Sequence, residues 1–312
     1  MRSEPKGMRW LVGLALWASL PPMADAAEEP ADVLAKTVLD KAGVRATFCE
    51  IPRAGDGTLA AALAEQGIAI VHALAPDARA AEAARKPAAA VGLLGSQVIV
   101  ETGKPDASPL GDWVADLVTV VDAADANLKG LSAAEMGRVL SPYRGTAVIG
   151  NRGGSKAGLS KEALVAWAKD IGGEVRVSED QAGLWAVVRM PPLKGGDDWG
   201  HFMHGADGNL VSNDTAFAAG QLSLQWAGFP FLAGTFEINV ASAGRMYIAQ
   251  SSRHLQPDGP PADLPFDLVA RSLYNGSVLW RRPIAKDFGE CASLVIATPE
   301  RLFVKDGDGA TE

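Results

Sequence analysis

Two histidines and three aspartates lie close together in the sequence and could bind a divalent metal ion. They are His201, His204, Asp198, Asp207 and Asp214. Imidazole and carboxylate groups are common ligands of such ions, but this spacing does not match a zinc motif. We therefore favour a polar, hydrogen-bonded segment between two domains and predict no metal site.

Two acidic residues end predicted strands, Glu101 the third and Asp122 the fourth. Open α/β sheets bind ligands at the carboxyl ends of their strands. Both side chains are therefore candidates for contacts to a nucleoside, the alternative being solvated surface charges.

Other chemical patterns are weak. The chain has four histidines and no Gly-x-Ser-x-Gly sequence, so nothing indicates a hydrolase triad. Asp306-Gly307-Asp308-Gly309 matches part of a calcium loop without its downstream ligands, and predicts a hairpin turn instead. No catalytic residue is assigned.

Up to about Pro191, apolar runs of strand length alternate with Ala- and Leu-rich helical stretches. This order predicts an α/β fold with a mostly parallel sheet and helices on both faces. The predicted strands are Ala46–Ile51, Ile68–Leu74, Gln97–Glu101, Leu117–Val121, Ala147–Gly150, and a hairpin of Glu174–Val177 with Leu184–Met190. One predicted helix begins at Pro30. The others span Asp56–Glu65, Pro76–Arg85, Ser132–Leu140 and Lys161–Ile171.

The composition changes at residues 191–196, Pro-Pro-Leu-Lys-Gly-Gly, which predict a linker. Beyond it, short apolar runs separated by turn residues predict an all-β region with no helix. These runs are Gln221–Trp226, Phe236–Val240, Arg245–Ile248, Phe266–Ala270, Val278–Trp280, Ser293–Ile296 and Leu302–Val304. The expected domains are therefore 31–192 and 198–312.

The first 26 residues read as a secretory signal: a basic start, an apolar run from Trp10 to Leu20, and a small-residue site ending at Ala26. The run of 11 residues is shorter than the roughly 20 needed to span a bilayer. We predict cleavage near Ala26, export to the periplasm or outside the cell, and no membrane span.

The chain is acidic, with a net charge of -8. Removing residues 1–26, with three basic and two acidic groups, makes it -9. Such a charge disfavours phosphate backbones, so nucleic acid is not an expected partner. The two cysteines, Cys49 and Cys291, are predicted to be separate thiols, because Cys49 lies in a buried strand that a partner from another domain could hardly reach.

The turn after the first strand, residues 50–59, resembles the cofactor-binding turn of class I S-adenosylmethionine-dependent methyltransferases. Gly55 and Gly57 match the family glycines and flank Asp56, but Arg53 stands at the first glycine position. The acidic residue that binds ribose in this family falls at Ala75, with Asp77 two positions later. Both departures count against binding of the methyl donor, and the glycines could serve only a tight turn and helix packing.

Three further segments, 95–101, 115–122 and 136–145, resemble later strand regions of the same family. The resemblance spans about half of the chain and implies a Rossmann-like, seven-stranded methyltransferase sheet. S-adenosylmethionine is the cofactor that it implies. The predicted contacts are Gly55, Asp56, Gly57, Asp77, Glu101 and Asp122.

Residues 198–204 and 270–280 resemble the entry and a blade of propellers of the pyrroloquinoline-quinone (PQQ) type. In that repeat the Asn275-Gly276 pair makes a tight turn and Trp280 packs between blades. A propeller closes with about four to eight blades, whereas about 115 residues follow the linker. We therefore expect an incomplete propeller that does not enclose PQQ and whose strands contact a protein partner.

These features lead to three functional hypotheses. The first is an exported, non-catalytic or ligand-binding protein with a degenerate methyltransferase-like domain. The alternative is a working S-adenosylmethionine-dependent methyltransferase. The third is a fragment of a quinone-dependent dehydrogenase.

Overall fold

The computed structural model describes residues 30–43, 47–153, 155, 158–216, 224–226, 239–251, 266–284, 295–306 and 309–311. The predicted signal segment, Cys291 and parts of the predicted runs beginning at Gln221, Phe236 and Ser293 lie outside these residues. Within them, no helix is long and apolar enough to cross a membrane.

The N-terminal domain is built on one seven-stranded sheet with strand order β3-β2-β1-β4-β5-β7-β6. Its strands are β1 Phe48–Ile51, β2 Ile70–Ala75, β3 Val98–Thr102, β4 Leu117–Val120, β5 Thr146–Arg152, β6 Glu174–Asp180 and β7 Gly183–Arg189. The first five are parallel, and β7 runs antiparallel to both β5 and β6. This arrangement confirms the predicted mixed sheet ending in a hairpin.

Six helices cover the two faces of this sheet. They are α1 Ala31–Ala42, α2 Thr58–Glu65, α3 Ala78–Ala90, α4 Asp125–Leu128, α5 Ala133–Val139 and α6 Lys161–Lys169. One buried apolar cluster packs α1, α2 and α3 on one face, and a second packs α4, α5 and α6 on the other. Burial on both faces explains why the central strands are nearly continuous apolar runs.

Two helices differ from expectation. Helix α3 was predicted to end at Arg85 but continues through Pro87 to Ala90. A proline in the last turn removes few backbone hydrogen bonds, and the buried Ala84 and Ala88 hold this stretch on the sheet. The four-residue helix α4 was not predicted, because one turn is too short for an apolar period to be recognised.

The connection between β3 and β4 contains no helix, although the structure describes all of residues 103–116. Turns and short bridges replace it, and Trp113 has a φ of 63°. This loop covers the sheet face that carries Glu50 and His72, which are paired in register on β1 and β2. A polar loop therefore faces buried polar side chains there.

Beyond the linker, every regular element within the described residues is a strand, as predicted. A four-stranded antiparallel sheet has the order β11-β10-β9-β8, and a three-stranded sheet has the order β12-β13-β14. The strands are β8 Asn239–Ser242, β9 Arg245–Ser251, β10 Phe266–Ser272, β11 Val278–Ile284, β12 Val295–Ala297, β13 Leu302–Asp306 and β14 Gly309–Thr311. The antiparallel pairing of β13 with β14 fits the predicted hairpin.

Specific contacts join the two domains. The Asn275 side chain donates to the Val114 carbonyl at 2.9 Å, and the Trp113 and Tyr274 rings meet edge to face at 6.1 Å. Both contacts involve the loop between β3 and β4. The C-terminal sheets therefore pack on the segment that replaces a helix.

Candidate functional site

A cleft of ≈ 540 Å³ opens at the carboxyl ends of β1 and β4, beside α1 and α2. This is the edge at which open α/β sheets bind ligands. Three of the six predicted contact residues line it, namely Gly55, Asp56 and Asp122. The others lining it are Ala31, Leu34, Ile51, Arg53, Ala54, Thr58, Leu59, Val121 and Arg152.

An ion pair crosses this cleft. Nη2 of Arg53 lies 2.7 Å from Oδ1 of Asp122 and 3.3 Å from the Asp122 carbonyl oxygen. The Arg53 side chain is 22% exposed, against 59% for Asp122. The residue at the first family glycine position is thus fixed across the ends of two strands, in the space next to the glycine turn.

The two glycines of the turn have different structural roles. Both have positive φ, 58° for Gly55 and 85° for Gly57. A Cβ on Gly57 would lie 1.9 Å from the Ala84 carbonyl oxygen, whereas one on Gly55 would meet nothing within 4 Å. The close packing of α2 against α3 is therefore enough to explain glycine at position 57, and no ligand is needed to explain it. Gly55, by contrast, borders the cleft.

Local hydrogen bonds occupy the aspartates near this edge. Oδ1 of Asp56 accepts from the amide and the hydroxyl of Thr58 at 3.0 and 2.6 Å. Asp77 caps α3 by accepting from the Ala80 amide at 2.8 Å. Ala75, where the ribose-binding carboxylate was expected, is buried. Asp77 lies outside the lining of the cleft and is already engaged by its own helix.

Glu101 does not line the cleft either, because it belongs to a separate polar network. Its Oε2 lies 3.3 Å from Nε2 of His72, whose Nδ1 is 3.8 Å from Oε1 of Glu50. Glu50 also accepts a hydrogen bond from the Ser108 hydroxyl. The network was not predicted from the sequence, although a glutamate and a histidine within apolar strands indicate buried polar contacts.

Burial raises the pKa of the Glu50 carboxyl above its ordinary value, while the Ser108 hydrogen bond and His72 oppose the shift. A raised pKa in the folded state means that the unfolded chain releases this proton first as pH rises. The free energy of unfolding therefore falls as pH increases from about 4.3 towards the folded-state pKa.

Glu50→Gln is expected to remove this loss, because the amide carries no charge and its oxygen can still accept from Ser108. At pH 7 the variant should be more stable by about 1 kcal/mol, the scale of one buried polar group's desolvation. Chemical denaturation between pH 4 and 8 measures this. If the free energy of unfolding changed with pH at the same rate in the variant and in the natural chain, this prediction would be wrong.

Glu135→Gln is the matched control, because hydrogen bonds from Arg138 lower the pKa of Glu135. Its carboxylate therefore contributes stability above about pH 4.3 that is lost as pH falls through the folded-state pKa. This variant should lose stability at pH 7, the opposite sign to Glu50→Gln.

The segment that contains His201 and His204, just beyond the linker, is held by local hydrogen bonds. Nε2 of His204 lies 2.7 Å from Oδ2 of Asp197, which also accepts from the Asn213 amide at 2.6 Å. Asp198 instead accepts from the Ser242 hydroxyl at 2.6 Å. Within the described residues, no group of three or more His, Cys, Asp or Glu side chains has an arrangement that could hold a metal ion.

No family model matches this sequence, and no curated protein matches it. Among solved structures, it is similar to a Methanococcus maripaludis protein assigned as an S-adenosyl-L-methionine-dependent methyltransferase, with 20% identity and a TM-score of 0.45 over 52% of this chain and 86% of the other. It is also similar to an Aquifex aeolicus SAM-dependent methyltransferase, with 20% identity and a TM-score of 0.40 over 49% of this chain and 89% of the other. For a geranyl diphosphate methyltransferase in complex with SAM, the identity is 13% and the TM-score 0.42 over 52% of this chain and 85% of the other.

The strand order β3-β2-β1-β4-β5-β7-β6, with β7 antiparallel, is the mixed, Rossmann-like, seven-stranded sheet expected from the sequence. The two later sheets are antiparallel.

Proposed function

We propose that this chain is a non-catalytic, ligand-binding protein whose methyltransferase-like domain keeps its cleft but no longer takes the methyl donor. The Arg53–Asp122 ion pair is the observation that carries the proposal. In the methyltransferase family a glycine stands at the Arg53 position and leaves this space open. Here the ion pair fills the space and also engages the carboxylate of Asp122, which follows β4.

The charged groups that line the cleft balance one another. Arg53 and Arg152 are cationic and Asp56 and Asp122 are anionic, so the lining has no formal net charge. Asp122 is already paired with Arg53 at 2.7 Å, and Asp56 accepts a hydrogen bond from Thr58 at 2.6 Å. An anionic small molecule could compete with Asp122 for Arg53.

We also propose that the chain is exported and that its C-terminal sheets are propeller-type repeats that contact a protein partner. The N-terminal signal pattern supports export, and a mature chain beginning near Ala27 by mass spectrometry would test it. The four-stranded meander β8–β11 has the strand number of one blade.

A working methyltransferase is the second candidate. The complete strand order, the cleft at the expected edge and the positive φ of Gly55 favour it. It requires Arg53 to swing away from Asp122 when the donor binds.

Calorimetric titration of the purified chain with S-adenosylmethionine separates these two candidates. The non-catalytic proposal expects a Kd weaker than about 1 mM, because the donor must break the ion pair and finds no ribose-binding carboxylate. A Kd in the micromolar range would put the methyltransferase first.

A further inference from the structure

Two adjoining cavities lie between the sheets β8–β11 and β12–β14, and Arg144 of the N-terminal domain lines the smaller one. Their volumes are ≈ 370 and ≈ 600 Å³, within the usual range for small-molecule sites. Trp280, Glu300, Arg301 and Leu302 line both cavities. We call the two together the arginine cleft.

Among the charged residues that line the arginine cleft, positive side chains far outnumber negative ones. It contains the five arginines Arg144, Arg245, Arg281, Arg282 and Arg301. Glu300 is the one carboxylate among the described lining residues. In a chain of net charge -8 this concentration of arginine is unusual, and it creates a local field that attracts anions.

Two of these arginines, Arg144 and Arg245, line the same cavity. The Arg144 side chain is 13% exposed, and its Nε lies 4.0 Å from Oδ1 of Asp116. Burial lowers the pKa of Arg144; Asp116 opposes this, and the nearby charge of Arg245 lowers it further. An anion between Arg144 and Arg245 would relieve this repulsion.

An aromatic surface adjoins the charged groups. The Tyr247 and Trp280 rings are 6.0 Å apart and tilted by 46°. Both residues pair with Ala270, from β9 and β11 respectively, so they share one face of the sheet. A ligand can therefore place oxygens on the arginines and its organic part against Trp280.

We propose that the arginine cleft binds a multivalent oxyanion of the phosphate-ester type. The planar guanidinium fork matches the oxygens of such groups and forms paired, charge-assisted hydrogen bonds with them. The site is distant in sequence from Arg53 and does not depend on the function proposed for the other cleft.

The test is calorimetric titration of the full chain with inorganic pyrophosphate and, separately, with citrate, at about 50 mM salt to limit screening. We expect submillimolar binding of pyrophosphate. Arg245→Gln should weaken it at least about tenfold, the usual effect of losing one charged hydrogen-bond donor, and Arg245→Lys should recover part of the loss. Arg79→Gln is the control, since Arg79 is exposed on α3 and lines neither cavity.

Arg282→Gln gives an independent check, because Arg282 is exposed on β11 and its loss should leave folding intact. It should also weaken pyrophosphate binding. Tighter binding of citrate than of pyrophosphate would overturn the phosphate assignment in favour of a polycarboxylate. Binding of both probes weaker than about 10 mM, or equal binding by Arg245→Gln and Arg79→Gln, would overturn the site itself.

Discussion

The double variant Arg53→Gly, Ala75→Asp is expected to bind S-adenosylmethionine at least about 100-fold more tightly than the natural chain. The first change removes the guanidinium that spans the cleft to Asp122. The second places a carboxylate at the end of β2, the position of the ribose-binding acidic residue in the methyltransferase family. Charge-assisted hydrogen bonds contribute about 1.5–3 kcal/mol each, and about 2.7 kcal/mol corresponds to 100-fold.

Calorimetry of the double variant beside Arg53→Gly alone separates the two contributions. Asp122 is largely exposed, so losing its partner should cost little stability. Ala75 is buried, so circular dichroism must first show that the double variant is folded. If the folded variant binds no better than the natural chain, the ion pair is not what keeps the donor out.

Gly57→Ala is expected to lower the free energy of unfolding by about 3–5 kcal/mol, among the largest effects of a single substitution. Two costs add here. The new Cβ would lie 1.9 Å from the Ala84 carbonyl oxygen, so α2 and α3 must separate. The φ of 85° also strains any residue with a side chain. Urea unfolding followed by circular dichroism measures the loss.

Gly55→Ala is the matched control in the same turn. Its φ is also positive, at 58°, but its new Cβ would contact nothing within 4 Å. The expected loss is therefore only the backbone strain, about 1–2 kcal/mol. Equal losses in the two variants would show that helix packing does not explain the glycine at position 57.

The sheet could be predicted from the sequence because burial on both faces gives its central strands continuous apolar runs. The hairpin β6–β7 was predictable for a different reason. A short polar turn joins its two apolar runs, so their pairing depends on local sequence and not on distant parts of the chain. Strand boundaries were less certain, since β5 runs from Thr146 to Arg152 rather than from Ala147 to Gly150.

The sites were harder to predict because they depend on partners far apart in sequence. Arg53 and Asp122 were each noted, but their ion pair joins residues 69 positions apart. Asp77 was a candidate ligand contact, and the structure places it as the cap of α3. The arginine cleft combines residues from both domains, so no local pattern could have indicated it.

A crystal structure of the chain grown with about 5 mM S-adenosylmethionine tests directly whether the ion pair keeps the donor out, because a donor with a Kd of about 1 mM or tighter would then occupy most molecules. We expect an Arg53–Asp122 contact close to 2.7 Å and no donor density in the cleft beside Gly55. Donor density there, with the Arg53 side chain turned away from Asp122, would contradict it and support a working methyltransferase.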